Sequence, residues 1–180
     1  MENMTAVILA AGKGTRMKSD FPKVLHKVCG IPMVEQVIRT VKNAGCDDCV
    51  VITGFGGDLV RKCLGSGVAF AEQKEQLGTG HAVMQTESVL KDTDGYVLVI
   101  CGDTPLLQAE TIQELMSLCV KEKAAATVLT ANMPDPSGYG RIIRDDQGHM
   151  SRIVEQKDGN PEELAVKEIN TGTYCFDGEK

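Results

Sequence analysis

Apolar runs of strand length alternate along this chain with stretches whose apolar residues recur at helical spacing, and that alternation constrains the fold more than any other feature. Residues 5–10 (TAVILA), 49–53 (CVVIT) and 96–101 (YVLVIC) are continuous apolar runs. A strand reads this way when both its faces are buried, as in a sheet covered by helices on each side. From Met33 onward Val34, Val37, Ile38 and Val41 share one helical face, with Gly45 as the C-cap. Residues 58–64 read as a short helix closed by Gly65, and residues 80–90 as another. Ile112, Leu115, Met116, Cys119 and Val120 mark a further helical face, while residues 68–71 and 125–130 are strand-like. The repetition predicts an α/β fold with a doubly wound, mostly parallel sheet. After Pro134 the pattern changes to short strand candidates at 141–144, 150–155 and 173–176, so the C-terminal part is expected to be β-rich.

Composition narrows the function classes. No apolar run approaches the ~20 residues of a membrane span, and the start MENMTAVILAAGKG lacks the basic segment and longer apolar stretch of a secretory signal. The formal charge is −6, Trp is absent and aromatic residues are 4%, which argues against nucleic acid as a partner. Seven cysteines and no export signal point to a reducing cytoplasm. Cys46 and Cys49 form a C-x-x-C pair, but no second pair stands at zinc-finger spacing and Asp47 and Asp48 would raise the thiol pKa values. The pair reads as a loop between a helix end and a strand.

In an open α/β sheet ligands bind outside the carboxyl ends of the strands, and four segments fall at such ends. Residues 9–17 (LAAGKGTRM) follow the first apolar run, and their small side chains let backbone N–H groups approach phosphate oxygens. This is not a Walker A loop, and Met17 stands where a dinucleotide fingerprint has its third glycine. Lys13, Arg16 and Lys23 add positive charge to an acidic chain, which points to a polyphosphate; a tight turn beside a solvated basic face is the plainer alternative. Asp103, directly after YVLVIC, suits Mg²⁺ carried on phosphates, or else caps the turn into the next helix. In residues 72–80 (EQKEQLGTG) the Gln amides and the backbone at Gly78 can read the edge of a base, or serve only as a polar loop. His81 reads as an ordinary residue of the helix that follows. Residues 138–141 (GYGR), Glu155 and residues 169–172 (INTG) scatter polar groups suited to a polyol, or to structure alone.

LAAGKGTRM with the downstream PKVL of residues 22–25 resembles the signature of nucleotide-sugar pyrophosphorylases, G-x-G-T-R-[ML] followed by P-K. With EQKEQLGTGHA, GDTPLL, GYGRI, IVEQKD and EINTG, the resemblance narrows to the uridyltransferase domain of the bifunctional bacterial N-acetylglucosamine-1-phosphate uridyltransferase/glucosamine-1-phosphate acetyltransferases, over residues 5–176. It implies a Rossmann-like nucleotide-diphospho-sugar transferase fold. Residues 1–180 would form one nucleotidyltransferase domain, incomplete at its C-terminus and without the family's left-handed β-helix acetyltransferase domain. The implied reaction is uridylyl transfer from UTP to N-acetylglucosamine 1-phosphate, giving UDP-N-acetylglucosamine and pyrophosphate for cell-wall precursor synthesis in the cytoplasm. Both substrates are small molecules, Mg²⁺ is the cofactor, no membrane or nucleic-acid partner is implied, and the parent would form a homotrimer through the β-helix domain.

Position by position, the resemblance assigns Leu9, Ala10, Ala11 and Gly12 to the nucleotide, and Arg16 and Lys23 to its phosphates. It gives Gln73, Gly78 and Thr79 to uracil, Cys101 and Gly102 to the lining of the centre, and Asp103 to Mg²⁺. Gly140, Glu155 and Asn170 would hold the N-acetylglucosamine. The chain departs from the family at Cys101, where an aromatic is common, and the family's second Mg²⁺ ligand, an Asn, falls after residue 180. Two other readings stay open. One is a different sugar-1-phosphate nucleotidyltransferase, taking glucose 1-phosphate with UTP or dTTP; the other is a nucleotide-sugar-binding module without catalysis.

Overall fold

The unbroken apolar run near the N-terminus forms β1 (Met4–Ala10), almost entirely buried, which becomes the axis of a parallel sheet. The computed structural model describes residues 3–14, 17–90 and 95–180, so Arg16 lies outside the described residues. A 3-10 turn at Lys23–Leu25 and a small hairpin, β2 (Lys27–Val28) and β3 (Ile31–Pro32), lead into α1 (Met33–Asn43). α1 buries Val34, Val37, Ile38 and Val41, the stripe its spacing predicts. Ala44 rather than Gly45 is its C-cap, and Gly45 takes the positive φ of the position beyond, +106°.

Next come β4 (Asp48–Thr53), α2 (Gly57–Leu64), β5 (Ala69–Glu72), α3 (Thr79–Met84), α4 (Glu87–Leu90), β6 (Tyr96–Cys101), α5 (Ala109–Glu122) and β7 (Ala126–Asn132). The helix expected over 80–90 is therefore two short ones. Thr86, fully buried, donates its hydroxyl to Val83 O at 2.6 Å and its N–H to the same carbonyl at 2.9 Å, which closes α3. The C-terminal part holds β8 (Arg141–Arg144), β9 (Met150–Val154), α6 (Pro161–Ala165) and the ten-residue β10 (Glu168–Asp177).

Two compact units are formed, Met1–Thr127 with Tyr174–Lys180, and Val128–Thr173. In the first, β5, β4, β1 and β6 lie side by side in that order and all parallel, with the end of β10 antiparallel on β6. The chain steps outward from β1 to β4 and β5, then returns to β6 on the other side of β1. The order reverses between β1 and β6, the place where doubly wound sheets open a crevice for ligands. Val7, Val50, Ile52, Ala71 and Val99 pack with Ala82 on one face of this sheet, and Val83 and Leu90 cover them. Cys46 and Cys49 are buried; their thiols are pushed up to about 12 and about 11, chiefly by burial, with Cys49 and Asp47 adding to the effect at Cys46. They are core packing. Among the described residues no helix is long and apolar enough to cross a membrane.

In the second unit β8 and β9 form an antiparallel hairpin, Ile142 opposite Ile153, and β10 begins beside β8 with Ile169 opposite Arg141. Thr171 donates its hydroxyl to Leu129 O of β7 at 2.7 Å. α6 went unforeseen, although Asn160 and Glu163 form a reciprocal capping box around Pro161 at its first turn.

Candidate active site

Loops at the carboxyl ends of β1, β5 and β6 wall a cavity of about 430 Å³ in the first unit. Leu9, Ala10, Ala11 and Gly12 form one side of it. Ala11 O is held twice, by Phe55 N–H at 3.2 Å and by Gln76 Nε2 at 2.8 Å. Gly54 permits this packing, since a Cβ there would stand 2.9 Å from both Cβ and O of Ala11. The first loop is thus braced by two segments distant in sequence.

Lys23 enters from the 3-10 turn. Its stem lies over Gly14, where φ is +60° and a Cβ would come within 2.8 Å of Lys23 Cβ, so only glycine fits. Lys23 Nζ reaches Asp103 Oδ2 at 2.5 Å, with the two side chains 40% and 28% exposed. Such accessible ion pairs add little to stability, so both charges remain available to a ligand. Asp103 itself is placed by the strand before it. Gly102 N–H donates to Leu9 O at 2.9 Å, continuing the β1–β6 pairing, and a Cβ on Gly102 would lie 3.1 Å from that oxygen. Gly102 is therefore buried behind the cavity wall with its amide already spent, and shapes the site from there. Cys101 does line the cavity. Burial first and the Asp103 carboxylate second push its thiol up to about 11 against the opposing effect of Lys23, so it is a neutral thiol at pH 7.

The opposite side is built on Gln73, Gly78 and Thr79. Gln73 is 5% exposed, and its N–H donates to Thr53 O at 2.8 Å. Its side-chain Nε2 donates to Gly78 O at 3.1 Å and lies 3.1 Å from His81 Nδ1. Gly14 and Gln76, which stand in the two loops singled out from sequence without a role of their own there, also line the cavity, as do Val24 and Ala82. The signal for Gln76 was present, a second carboxamide three residues from Gln73 in the same loop. Arg16 lies outside the described residues.

In the second unit Gly140, Glu155 and Asn170 come together. Asn170 N–H donates to Gly140 O at 2.8 Å, and a Cβ on Gly140 would meet Glu155 Oε1 at 3.2 Å. Gln156 Oε1 accepts from Gly138 N–H at 3.0 Å and from the buried Arg141 at 2.9 Å, which fixes the loop that precedes Gly140.

One cavity thus gathers loop backbone, the Lys23 ammonium, the Asp103 carboxylate and two carboxamides, groups whose chemistry suits a nucleoside triphosphate. Residues 6–157 match the MobA-like NTP transferase domain family, and the chain belongs to that family. It is 58% identical over 179 residues to the bifunctional protein GlmU of Halalkalibacterium halodurans, and 56% identical to those of Bacillus cereus and Bacillus mycoides. Each alignment takes in 99% of this chain and 39% of the relative, so the chain spans well under half the length of these curated relatives. Among solved structures, one described as a glucose-1-phosphate thymidylyltransferase from Bacillus anthracis in complex with a sucrose superposes with a TM-score of 0.81 at 25% identity, over 98% of this chain and 72% of the other. A UDP-glucose pyrophosphorylase complexed with UDP-glucose has a TM-score of 0.80 at 20% identity over 98% and 77%, a likeness of fold.

Proposed function

We propose that this chain transfers the uridylyl group of UTP to N-acetylglucosamine 1-phosphate, giving UDP-N-acetylglucosamine and pyrophosphate. The observation that carries the reading is the cavity at the strand-order reversal, where the Lys23–Asp103 pair and the Gln73–Thr79 wall line one volume. The choice of substrates follows the motif resemblance and is supported by 58% identity to a bifunctional protein GlmU. The reaction is read as cytoplasmic, the compartment where UTP is made.

A phosphate oxygen of the sugar 1-phosphate attacks the α-phosphorus of UTP in line. A new P–O bond forms, the bond between the α-phosphorus and its bridging oxygen breaks, and pyrophosphate leaves with the electron pair. The attacking phosphate is ionised at neutral pH, so no general base is needed, and catalysis rests on positioning and charge neutralisation. The chain's residues divide that work. Lys23 exchanges Asp103 for a phosphate oxygen and offsets the charge gathering on the leaving pyrophosphate, a duty Arg16 shares on its sequence position. Residues 9–12 offer backbone to the nucleotide, Gln73, Gly78 and Thr79 take the base, and Gly140, Glu155 and Asn170 take the N-acetylglucosamine.

The donor set also fits Mg²⁺ brought in on the substrates. Asp103 is a part-exposed carboxylate on the cavity wall, and the described residues hold no cluster of three or more metal-ligating side chains. One protein carboxylate with the remaining ligands from phosphates and water is a usual Mg²⁺ arrangement. When bound on Asp103, the ion would neutralise phosphate charge.

The structural likeness to a glucose-1-phosphate thymidylyltransferase favours the second reading, another sugar-1-phosphate nucleotidyltransferase. Pyrophosphate release by the whole protein separates the two when UTP and dTTP are each paired with N-acetylglucosamine 1-phosphate and with glucose 1-phosphate. UTP with the N-acetylated sugar should turn over fastest, and Asp103→Asn should slow it by roughly 10²–10³-fold, the scale for one electrostatic group acting at the transition state. Preference for glucose 1-phosphate or dTTP would establish the second reading instead. UTP binding with no release from any pair would mark a binding module.

A further inference from the structure

His81 has no part in the reaction derived above, yet its ring lies between two carboxamides, one of them on the cavity wall. Its Nδ1 is 3.1 Å from Gln73 Nε2, and its Nε2 is 3.3 Å from Gln85 Nε2. Which ring nitrogen carries the proton follows from the neighbours. Turning the Gln73 amide over would set its oxygen against Gly78 O, which only accepts, in place of a bond at 3.1 Å, so the orientation with Nε2 toward Gly78 is the favoured one. The group facing His81 Nδ1 is therefore an N–H, and Nδ1 must be the unprotonated acceptor. That leaves the proton on Nε2 of a neutral ring. Gln85, part-exposed at the C-cap of α3, also donates its Nε2 to a carbonyl, His81 O at 3.0 Å, but turning this accessible amide over costs less than turning the buried Gln73, and it brings an oxygen to the Nε2 proton.

Both N–H groups of the Gln73 amide are then committed, one to Gly78 O and one to His81 Nδ1. Among the described residues none donates to Gln73 Oε1, so Oε1 is the atom Gln73 offers to the cavity it lines. An offered acceptor discriminates between pyrimidines. Uracil presents an imide N–H at N3 and can donate to it; cytosine presents a lone pair at N3 and is repelled. We propose that His81 is a positioning residue for base selection, holding the Gln73 amide, together with Gly78 O, in the orientation that offers an acceptor to the pyrimidine. The proposal rests on the reading that Gln73 faces the base. His81 touches no substrate and acts only through Gln73.

The test is equilibrium binding of UTP and of CTP to the chain, read as the ratio of the two Kd values. An unfolded fraction lowers the number of sites and leaves that ratio untouched, so a loss of fold does not imitate the effect. His81→Leu removes the acceptor and should lower the preference for UTP over CTP by about fivefold, the worth of one neutral hydrogen bond. His81→Asn can place its Oδ1 near the position of Nδ1 and should restore most of the preference. Gln73→Ala should abolish it. A wild-type ratio in His81→Leu while Gln73→Ala has lost the preference would overturn the role of His81 and leave the base site standing. Failure of His81→Asn to restore what His81→Leu loses would overturn it as well. An unchanged ratio in Gln73→Ala would remove the base site, and the role of His81 with it.

Discussion

Gly140 sits where a side chain would crowd its neighbours, its missing Cβ 3.2 Å from both Glu155 Oε1 and Ile153 Cγ2. The neighbour free to yield is the Glu155 carboxylate, the group assigned to the sugar, so a branched side chain at 140 should displace it. Gly140→Val is expected to raise the KM for N-acetylglucosamine 1-phosphate by about tenfold or more, the worth of a hydrogen bond to a charged group. The KM for UTP should stay within about twofold on the same reasoning, because Gly140 contributes nothing to the nucleotide cavity. Steady-state kinetics with each substrate varied in turn measures both. Equal weakening of both substrates would show a damaged fold in place of a damaged sugar site. Lys23 and Asp103 make a comparable point about chemistry: in the proposed reaction their 2.5 Å pairing is the contact that phosphate binding would exchange.

Strand β8 is anchored by Arg141, which is 2% exposed. Its guanidinium donates to Tyr139 O, to Gln156 Oε1 at 2.9 Å and to Leu164 O at 3.5 Å, joining the strand to the loop before it and to α6. Arg141→Met keeps most of the volume but removes the donor of three part-buried hydrogen bonds, so it should cost about 1–3 kcal/mol. Urea unfolding measures this, and a loss below about 0.5 kcal/mol would mean that water replaces the guanidinium. Elements were legible where one physical signal dominated. β1, β4 and β6 declared themselves as continuous apolar runs because both their faces are covered. α1 declared itself through one clean stripe, but the break between α3 and α4 depends on a single buried hydroxyl, Thr86, which a helical pattern of side chains does not reveal. β10 was foreseen only at residues 173–176. Its earlier half, beside β8, carries polar residues and a glycine, and its pairing is set by a partner distant in sequence. α6 was readable from Asn160, Pro161 and Glu163, a signal that the surrounding β pattern obscured.

The place of the cavity was legible in the sequence, because a doubly wound sheet opens a crevice where the strand order reverses, and the loops that follow β1, β5 and β6 could be read directly. What one chain of letters does not give is which loop residues meet. Lys23 with Asp103, Gln76 with Ala11, and Gly54 against Ala11 are all long-range pairs set by packing. For the same reason Gly102 was expected on the cavity wall and lies behind it, and His81 was passed over although it is bonded to Gln73. The account as a whole claims that one cavity, at the β1–β6 reversal, receives the nucleotide. A crystal structure of the chain grown with UTP tests that claim most directly. Uracil should lie against Gln73 and the backbone of Gly78 and Thr79, with the triphosphate along residues 9–12 and Lys23 Nζ moved from Asp103 to a phosphate oxygen. UTP bound elsewhere, for example in the cavity lined by Thr5, Asp48 and Ser66, or Lys23 still on Asp103 with no phosphate near it, would contradict the account.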